Sequence, residues 1–464
     1  MSTSRLSPLD ASFLAVETAN AHMHVGWAAV FEPPADRPAP TFADCRDHIA
    51  GRMCRAPRFR QLLSPPPLGF GPAIWVDDPA FDVARHVSRS RSRTLTGAID
   101  WFLSKPLRRD RPLWQICVAD QLEDGRLAVI GKAHHCMVDG IAAVELASLL
   151  VDPEPDPPAP GPDGWIPRPA PGAAARITGA LADAGRRQVD LAALPARIAG
   201  SPSNALALAE RGARAARALI DAARPATRSS LNRRISAARH LARLKRSVAD
   251  LVRIKRAFGV KLNDVFLAAC AGGVRELLRE HGERPIRLKA MVPVNVRGTD
   301  PSGELGNRIS FMFVDLPCDE PDAVRRLREI HLATTELKQA GEPEGAADIM
   351  DWLGFAPGPI QRLVSRLIAS PRAFNLTVSN IPGPREPLYM RGCRLVEAYP
   401  VVPIAESHAV SIGVTTVGDG AYFGLYADPE ALPEADALAH SIDRSIDELE
   451  RAGSFAPAAE PILD

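Results

Sequence analysis

The sequence predicts an α/β protein of at least two domains. Apolar runs of strand length alternate with segments whose apolar residues recur at helical spacing, most clearly in the carboxyl-terminal half. The chain has 464 residues, whereas the commonest domain size is about 100 to 150 residues, so one hydrophobic core would not suffice. A proline-rich segment at residues 152–164 separates the two halves.

The amino-terminal half contains three predicted strands and two predicted helices. Short apolar runs predict strands at residues 26–31, 116–118 and 127–130. Apolar residues at helical spacing predict helices at residues 42–54 and 141–150. The last strand and the last helix enclose a polar segment that contains several chemically reactive side chains.

The middle of the chain is a predicted connector. Residues 152–164 contain six prolines and four acidic residues, and because proline lacks a backbone N–H, they predict a stiff, extended linker. Residues 173–223 are rich in alanine and arginine, with breaks near Pro195 and Pro202, which predicts two or three helices. The expected division is an amino-terminal domain at 1–151, a connector at 152–235 and a carboxyl-terminal domain at 236–464.

The connector is basic, which leaves two interpretations open. Between Pro171 and Arg228, nine arginines stand against four acidic residues, a local excess of +5. Such a segment either binds an anionic membrane surface or is a solvated helical linker. The lack of aromatic residues in its apolar stripe favours the solvated linker.

The carboxyl-terminal half repeats the alternation of strands and helices. Helical spacing of apolar residues predicts helices at residues 265–278, 323–337 and 434–451. Apolar runs predict strands at residues 288–294, 309–316, 374–379, 409–416 and 422–426. The sequence Gly418-Asp419-Gly420 lies between the last two strands and predicts a hairpin turn.

Composition and charge argue against several classes of protein. The formal net charge of +1 gives no strong electrostatic attraction to nucleic acid. The seven cysteines are scattered without paired spacing, as expected of reduced core residues. Residues 1–10 lack a signal-peptide pattern, and no apolar stretch approaches about 18 residues, so a cytoplasmic protein without a transmembrane helix is expected.

The polar segment between a predicted strand and a predicted helix contains two adjacent histidines. His134 and His135 follow the strand, Asp139 stands four residues after His135, and Gly140 precedes the helix. A neutral imidazole, with an ordinary pKa of about 6.5, accepts a proton from a hydroxyl or thiol, so this turn is a candidate active site. Neighbouring residues at a strand end point to opposite faces. One histidine therefore faces substrate and the other packs, and the pattern does not choose between them.

Other interpretations of this turn are weaker. A buried histidine is often only a hydrogen-bonded core group. His134, His135 and Asp139 offer three metal ligands, but the chain has no His-Glu-x-x-His or Cys-x-x-Cys sequence, and no metal is expected. Cys136 is a poor nucleophile for His135 to activate, since adjacent side chains of an extended segment diverge.

Several motifs, in a fixed order, make the chain similar to a known family. They are Ser7-Pro8-Leu9-Asp10, Met23-His24-Val25-Gly26, Phe81-Asp82, His86-Val87, Arg111-Pro112-Leu113-Trp114, the double-histidine turn, Asn263-Asp264-Val265, Val292-Pro293-Val294-Asn295-Val296-Arg297, Gly306-Asn307-Arg308 and Ser379-Asn380-Ile381-Pro382-Gly383-Pro384. With these motifs the chain resembles the bifunctional wax ester synthase/diacylglycerol acyltransferase family, within the coenzyme A-dependent acyltransferases and condensation domains. The resemblance extends over nearly the whole chain.

The resemblance implies an architecture and roles for residues. Two similar chloramphenicol-acetyltransferase-like sandwich domains would meet along a substrate channel, with the double-histidine turn midway. It credits the second histidine, His135, with catalysis as a general base beside His134. Asp139 would orient the turn by pairing with Arg297 of the other domain, a role compatible with a helix N-cap. Gly140 would open the helix without obstructing the channel.

Three further residues in the matching motifs have two interpretations each. Asn263 and Asp264 start an apolar helix, so they either cap it or contact substrate. Asn380, in a loop bounded by proline and glycine, either lines the channel or forms a turn.

The resemblance also implies an activity. An acyl-CoA-dependent O-acyltransferase would transfer a long-chain acyl group to diacylglycerol, giving triacylglycerol, and to long-chain alcohols, giving wax esters. The transfer would be direct, with acyl-CoA as co-substrate and no other cofactor, at the surface of the inner membrane or of lipid droplets. The alternatives are an acyltransferase or condensation enzyme with a polyketide or carrier-bound acceptor, and a non-catalytic lipid-binding droplet protein.

Overall fold

Two six-stranded β-sheets, each flanked by helices, form the framework of the protein. The structure is a computed structural model that describes residues 5–67, 73–137, 150–158, 161, 163–182, 185–186, 189, 202–297, 307–353 and 358–454. The predicted α/β class is confirmed.

The strands and helices are numbered here in chain order. The strands are β1 (His24–Glu32), β2 (Gln61–Ser64), β3 (Ile74–Asp77), β4 (Val87–Arg89), β5 (Trp114–Ala119), β6 (Leu127–His134), β7 (His240–Ser247), β8 (Leu288–Arg297), β9 (Asn307–Leu316), β10 (Leu376–Ile381), β11 (Tyr389–Met390), β12 (Cys393–Val401), β13 (Val410–Val417) and β14 (Gly420–Ala427). The helices are α1 (Pro8–Val16), α2 (Phe42–Arg52), α3 (Leu95–Leu103), α4 (Pro202–Ala223), α5 (Val248–Phe258), α6 (Leu262–Glu280), α7 (Ala323–Gln339), α8 (Glu342–Leu353), α9 (Gly358–Ile368) and α10 (Ala435–Ser454).

The first sheet has the strand order β11-β12-β1-β6-β5-β4. Its central pair, β1 and β6, is antiparallel, and His24 lies opposite His134 at one end of the pair. Close packing of these strands requires glycine at position 26, because a Cβ atom there would lie 2.2 Å from the carbonyl oxygen of Gly131. The glycine of the Met23-His24-Val25-Gly26 motif therefore sets the approach of the two strands.

The second sheet has the strand order β7-β14-β13-β10-β8-β9. Strand β10 is parallel to both β8 and β13, and the other pairs are antiparallel. The predicted hairpin joins β13 and β14, with Val417 opposite Gly420. Gly418 has φ of 56°, a left-handed conformation that glycine adopts without steric cost.

Strand β12 connects the two halves of the molecule. It comes from residues beyond the connector, yet it pairs with β1 in the first sheet, with Ala29 opposite Ala398. Its end packs on the second sheet, where a Cβ atom on Gly413 would lie 2.9 Å from Pro400. A continuous hydrophobic core extends from β1, β6 and α3 into the second sheet and its helices α6 and α10.

The proline-rich linker is extended and lies along the amino-terminal half. Asp152 forms a bridge with Tyr389 and a buried ion pair with Arg52. Further along, Asp163 pairs with Arg60. The helices predicted after the linker are present in the described residues as a helical segment at 173–182 and as α4, which packs on α8.

Predicted strands and helices in both halves coincide with observed ones, with boundaries that differ by a few residues. The helix predicted at residues 141–150 lies outside the described residues except for Leu150. Within the described ranges, no single helix has the length and apolar character needed to span a membrane. Helices α5 and α6 together have that length and apolar character, but the two helices meet at a bend of 100°.

Candidate active site

Backbone hydrogen bonds fix the double-histidine turn at the end of β6. The N–H of His134 donates to the carbonyl of Leu113 at 2.9 Å, and the N–H of His135 donates to the carbonyl of Met23 at 2.9 Å. The N–H of Met137 donates to the carbonyl of His134 at 2.9 Å, which closes the turn. Residues from two of the sequence motifs therefore hold the turn on either side.

Met23 has an unusual backbone conformation beside this turn. Its φ is 47°, a left-handed value that a side chain disfavours. The residue lies just before β1, and its carbonyl is the one that accepts the His135 N–H. Strained backbone of this kind persists only where surrounding contacts determine it, and it is common at functional sites.

His134 is buried and neutral. Its Nδ1 accepts the N–H of Cys136 at 3.1 Å, so the proton of the neutral ring is on Nε2, which lies 3.4 Å from Oε1 of Glu17. Burial, with a smaller effect of the Arg109 charge, lowers the pKa of His134 to about 3. A ring that stays neutral and is enclosed in this way is suited to hold the turn rather than to exchange protons with substrate.

His135 is partly exposed and its ring is stacked on an aromatic side chain. The ring centroids of His135 and Phe13 are 3.7 Å apart, with 14° between the planes. The sequence left open which histidine faces outward, and the structure buries His134 while leaving His135 accessible. The outward histidine is the one that the family resemblance credits with catalysis.

Two further histidines lie behind the turn and were not predicted. Nε2 of His24 accepts the N–H of Leu107 at 3.3 Å, and burial, followed by the charges of Lys132 and His22, lowers the pKa of His24 well below its ordinary value. His22 contacts the carbonyl of Ala19 at 3.0 Å, and burial, followed by the Arg239 charge, lowers its pKa to about 4. Both rings are therefore neutral near pH 7.

Lys132 is a fully buried lysine on the same face of β6 as His134. Sequence reasoning missed it, although a lysine inside an apolar strand is a visible signal. Its Nζ donates to the carbonyls of Phe102 at 2.7 Å and Lys105 at 2.5 Å. Burial, reinforced by the Lys105 charge, lowers its pKa to about 7.

The thiol of Cys136 is not an activated nucleophile. The residue is buried, and burial raises its pKa to about 12. A thiol with such a pKa contains very little thiolate near pH 7. Within the described ranges, no group of three or more His, Cys, Asp or Glu side chains has the arrangement of a metal site.

Asp139 and Gly140, two of the predicted site residues, lie outside the described residues, as does the side chain of Arg297. Asp264 is buried at the start of α6, where its Oδ2 accepts the N–H of Lys261 at 3.0 Å and lies 2.7 Å from Nδ1 of His331.

The second carboxylate oxygen of Asp264 also accepts a hydrogen bond. Oδ1 accepts the hydroxyl of Thr334 at 2.8 Å, so the carboxylate caps α6 and ties it to α7. Asn263 precedes it and is partly exposed. Of the two interpretations of Asp264, the structure shows the cap.

Asn380 and Arg297 lie toward the carboxyl edge of the second sheet. Asn380 is exposed near the end of β10, and Arg297 ends β8, which is parallel to β10. The segment that precedes β1 contacts the amino edge of this sheet. Arg239, just before β7, donates a hydrogen bond to the carbonyl of Asn20. Strand β7 runs parallel to β10 through two antiparallel pairings, so its amino end marks the amino edge.

A small apolar cavity of about 20 Å³, roughly the space of one water molecule, lies among β9, α4, α8 and α9. It is lined by Ala218, Phe311, Phe313, Glu342, Ala346, Ile349 and Ile368. Helix α1, which carries Phe13, packs against both α8 and α9.

Comparison with known proteins gives consistent matches over the chain. A model of the wax ester synthase/diacylglycerol acyltransferase catalytic domain matches residues 6–266, and a model of the C-terminal domain of that family matches residues 305–450. A probable diacylglycerol O-acyltransferase of Mycobacterium tuberculosis is 32% identical over 453 residues, 95% of this chain and 94% of the relative. A putative diacylglycerol O-acyltransferase of the same organism is 32% identical over 463 residues, 96% and 99% of the two chains.

Solved structures show the same fold. The wax ester synthase/diacylglycerol acyltransferase from Marinobacter aquaeolei has a TM-score of 0.69 and 25% identity, covering 97% of this chain and 100% of that chain. The starter condensation domain of rhizomide synthetase, in complex with C8-CoA and Leu-SNAC, has a TM-score of 0.58 at 16% identity and covers 100% and 98% of the two chains. The predicted two-domain arrangement of coenzyme A-dependent acyltransferases is confirmed at the level of the fold.

Proposed function

The chain belongs to the wax ester synthase/diacylglycerol acyltransferase family, and on that premise we propose that it transfers a long-chain acyl group from coenzyme A to the hydroxyl of diacylglycerol, giving triacylglycerol. Long-chain alcohols are acceptors in the same reaction and give wax esters. The relatives named diacylglycerol O-acyltransferase cover nearly the whole chain, which favours diacylglycerol as the first acceptor.

The observation that carries this proposal is the contrast between the two histidines. His134 is enclosed and held neutral, whereas His135, on the same turn, is partly exposed and fixed by its backbone and by Phe13. A base for acyl transfer must be accessible to the acceptor hydroxyl and must keep a constant orientation. His135 meets both requirements.

The proposed reaction is a direct transfer. His135 accepts the proton of the acceptor hydroxyl while its oxygen attacks the thioester carbonyl of acyl-CoA. The tetrahedral intermediate then collapses, the C–S bond breaks, and the thiolate of coenzyme A takes the proton from the imidazolium. No bond between the enzyme and the acyl group forms in this scheme, and acyl-CoA is a substrate rather than a cofactor.

General-base catalysis by a positioned histidine contributes about 10² to 10⁴ in rate, so the binding of both substrates in one geometry must supply much of the remainder. We propose that Asp139 orients the turn, and the family resemblance gives Arg297 as its partner. Gly140 would leave space beside the turn for the channel. Asn263 and Asn380 are candidates for its lining.

Diacylglycerol and long-chain alcohols are apolar substrates that reside in lipid. The surface of the connector supports delivery of such substrates from a lipid phase. Its apolar side chains Leu181, Leu206 and Ile220 are each more than 60% exposed, among an excess of arginines.

Product analysis of the purified protein tests the proposal. Wild type is incubated with radiolabelled acyl-CoA and with diacylglycerol, a long-chain alcohol or a carrier-bound acceptor, and ester, free fatty acid and free thiol are measured. We expect triacylglycerol as the main product and His135→Ala to lose turnover while it stays folded. His440→Ala, at an exposed histidine of α10, is the matched control. A folded His135→Ala protein with undiminished turnover would overturn the assignment.

A further inference from the structure

Helix α1 contacts both histidines of the turn through one of its faces. Phe13 and Glu17 are four residues apart, so they lie one above the other on the same face of the helix and its C-cap. The first stacks on His135, and the second approaches His134. We propose that α1 is a positioning element for the double-histidine turn, with Phe13 and Glu17 as its positioning residues.

The amino-terminal motif explains why a helix begins here. Ser7 is the N-cap of α1: its Oγ accepts the N–H of Asp10 at 3.0 Å and its hydroxyl donates to Oδ2 of Asp10 at 2.7 Å. Pro8, at the first helical position, needs no hydrogen-bond donor. The Ser7-Pro8-Leu9-Asp10 motif thus fixes the residue at which the helix begins. The start of the helix in turn sets the side of the helix on which Phe13 lies.

The stacking contact defines the plane of the catalytic imidazole. At 3.7 Å and 14°, the Phe13 ring covers one face of the His135 ring. A stacked neighbour restricts rotation of the ring about its side-chain bonds and covers a face of the ring rather than the edge where the nitrogens lie. Phe13 therefore orients the base without occupying the position of the acceptor hydroxyl.

Glu17 lies against the other histidine and connects the turn to the loop between α3 and β5. Its Oε1 lies 3.4 Å from Nε2 of His134, and its Oε2 accepts a hydrogen bond from Arg109. The backbone N–H of Glu17 donates to the carbonyl of Phe13 at 3.2 Å, so both positioning residues move together. A shift in the position of α1 would therefore change the contacts of His134 and His135 at the same time.

The helix also contacts the other half of the molecule. Arg366 of α9 donates to the carbonyl of Ala15 at 3.1 Å, and α1 packs along α9. No residue of α1 is fully buried. A helix held by partial contacts on several sides is a low-stability element whose position responds to its neighbours. The orientation of His135 therefore depends on contacts made by both halves of the chain.

Substitutions of Phe13 separate positioning from packing. This inference rests on the proposed role of His135 as general base. We expect Phe13→Leu to lower kcat by about 10- to 100-fold with KM for acyl-CoA changed by less than about two-fold. Phe13→Tyr keeps the stacked ring and should keep most of the activity. Phe258→Leu, the same change at a partly buried phenylalanine at the end of α5, is the control and should leave kcat near the wild-type value.

Substitutions of Glu17 separate the contact with His134 from the ion pair with Arg109. Glu17→Gln keeps a polar group of the same size beside Nε2 of His134 but loses the charge, so it should retain most of the wild-type kcat, whereas Glu17→Ala should lose about 10-fold. Glu123→Gln, at an exposed carboxylate paired with Arg93, is the control. Equal losses in both Glu17 variants, or losses in proportion to the melting temperature, would overturn the positioning role.

A spectroscopic measurement tests the inference independently of turnover. An aromatic ring stacked at this distance shifts the Cε1 proton of His135 in the NMR spectrum, and we expect the shift to be lost in Phe13→Leu and kept in Phe13→Tyr. An unchanged shift in Phe13→Leu would overturn the inference even if the enzyme is active. A wild-type protein that shows the shift but forms no ester with any acceptor would instead overturn the proposed function alone.

Discussion

The ammonium group of Lys132 donates a hydrogen bond of 2.7 Å to the carbonyl oxygen of Phe102 in the last turn of α3. A helix carries a partial negative charge at its carboxyl end, which attracts a cation. Lys132 also donates to the carbonyl of Lys105, just beyond the helix. The buried lysine therefore fixes α3 against β6, two residues before the double-histidine turn.

The depressed pKa of Lys132 makes stability depend on pH. Between its folded value of about 7 and its ordinary value of 10.5, the folded protein binds fewer protons at this residue than the unfolded chain, so its contribution to the free energy of unfolding rises with pH. Relative to Lys132→Met, wild type should gain up to about 1.4 kcal/mol per pH unit between about pH 7.5 and 9.5. Urea unfolding at several pH values measures this difference, and parallel curves would contradict the prediction.

Buried neutral histidines predict a loss of stability in acid. Burial is the main cause that lowers the pKa of His134 to about 3 and those of His22, His48 and His408 to about 4. Below the ordinary value of 6.5, the unfolded chain binds more protons than the folded protein, so the free energy of unfolding falls as the pH drops toward 4. Each histidine contributes up to about 1.4 kcal/mol per pH unit.

A double variant tests this acid sensitivity. His22→Asn combined with His408→Asn removes two of the titrating rings, and we expect a shallower fall of the unfolding free energy between pH 6.5 and 4.5 than in wild type. The measurement is urea unfolding followed by circular dichroism, and only the slope against pH matters, because both substitutions also change packing. A slope equal to that of wild type would show that these rings are not neutral in the folded protein.

The elements of the fold could be predicted where the determining pattern is local. Strands β1 and β6 are apolar runs, and the hairpin of β13 and β14 carries its own turn sequence. Strand β12 was not predicted, because polar residues such as Arg394 and Glu397 interrupt its apolar pattern and its partner β1 lies near the other end of the chain. Its place in the first sheet is decided by tertiary pairing.

The candidate site was also predictable only in part, because some of its contacts come from residues that are distant in the sequence. The pattern of His134 and His135 identified the turn, but the period of a strand gives two faces and does not say which one is buried. That choice depends on Glu17 and Phe13, which come from a distant helix. Lys132 carried a local signal, since a charged residue inside an apolar strand requires a buried partner.

Asp264 should matter for stability rather than for turnover. Its carboxylate caps α6 and accepts the Thr334 hydroxyl inside the core. Asp264→Ala removes the acceptor of the Lys261 N–H and the shorter of two hydrogen bonds of the Thr334 hydroxyl, and we expect a loss of about 1 to 3 kcal/mol in the free energy of unfolding with kcat of the folded fraction unchanged. Glu276→Gln, at an exposed ion pair with Arg279, should change stability by less than about 0.5 kcal/mol. A large fall in kcat for folded Asp264→Ala would instead support a contact with substrate.

The exposed apolar side chains of the connector distinguish its two interpretations, lipid binding and a solvated linker. Replacing Leu181, Leu206 and Ile220 by serine removes apolar side chains that are more than 60% exposed, so the fold should be little affected. If these side chains enter the lipid interface beside the arginines, the triple variant should bind phosphatidylglycerol vesicles at least about 10-fold more weakly than wild type in a flotation assay. Leu332→Ser, at a leucine of α7 that is 60% exposed, is the matched control. Salt should weaken the binding of wild type, because the arginine charges attract the anionic surface. If wild type and the triple variant bind equally, or if wild type binds phosphatidylcholine vesicles as well as phosphatidylglycerol vesicles, the connector is a solvated linker.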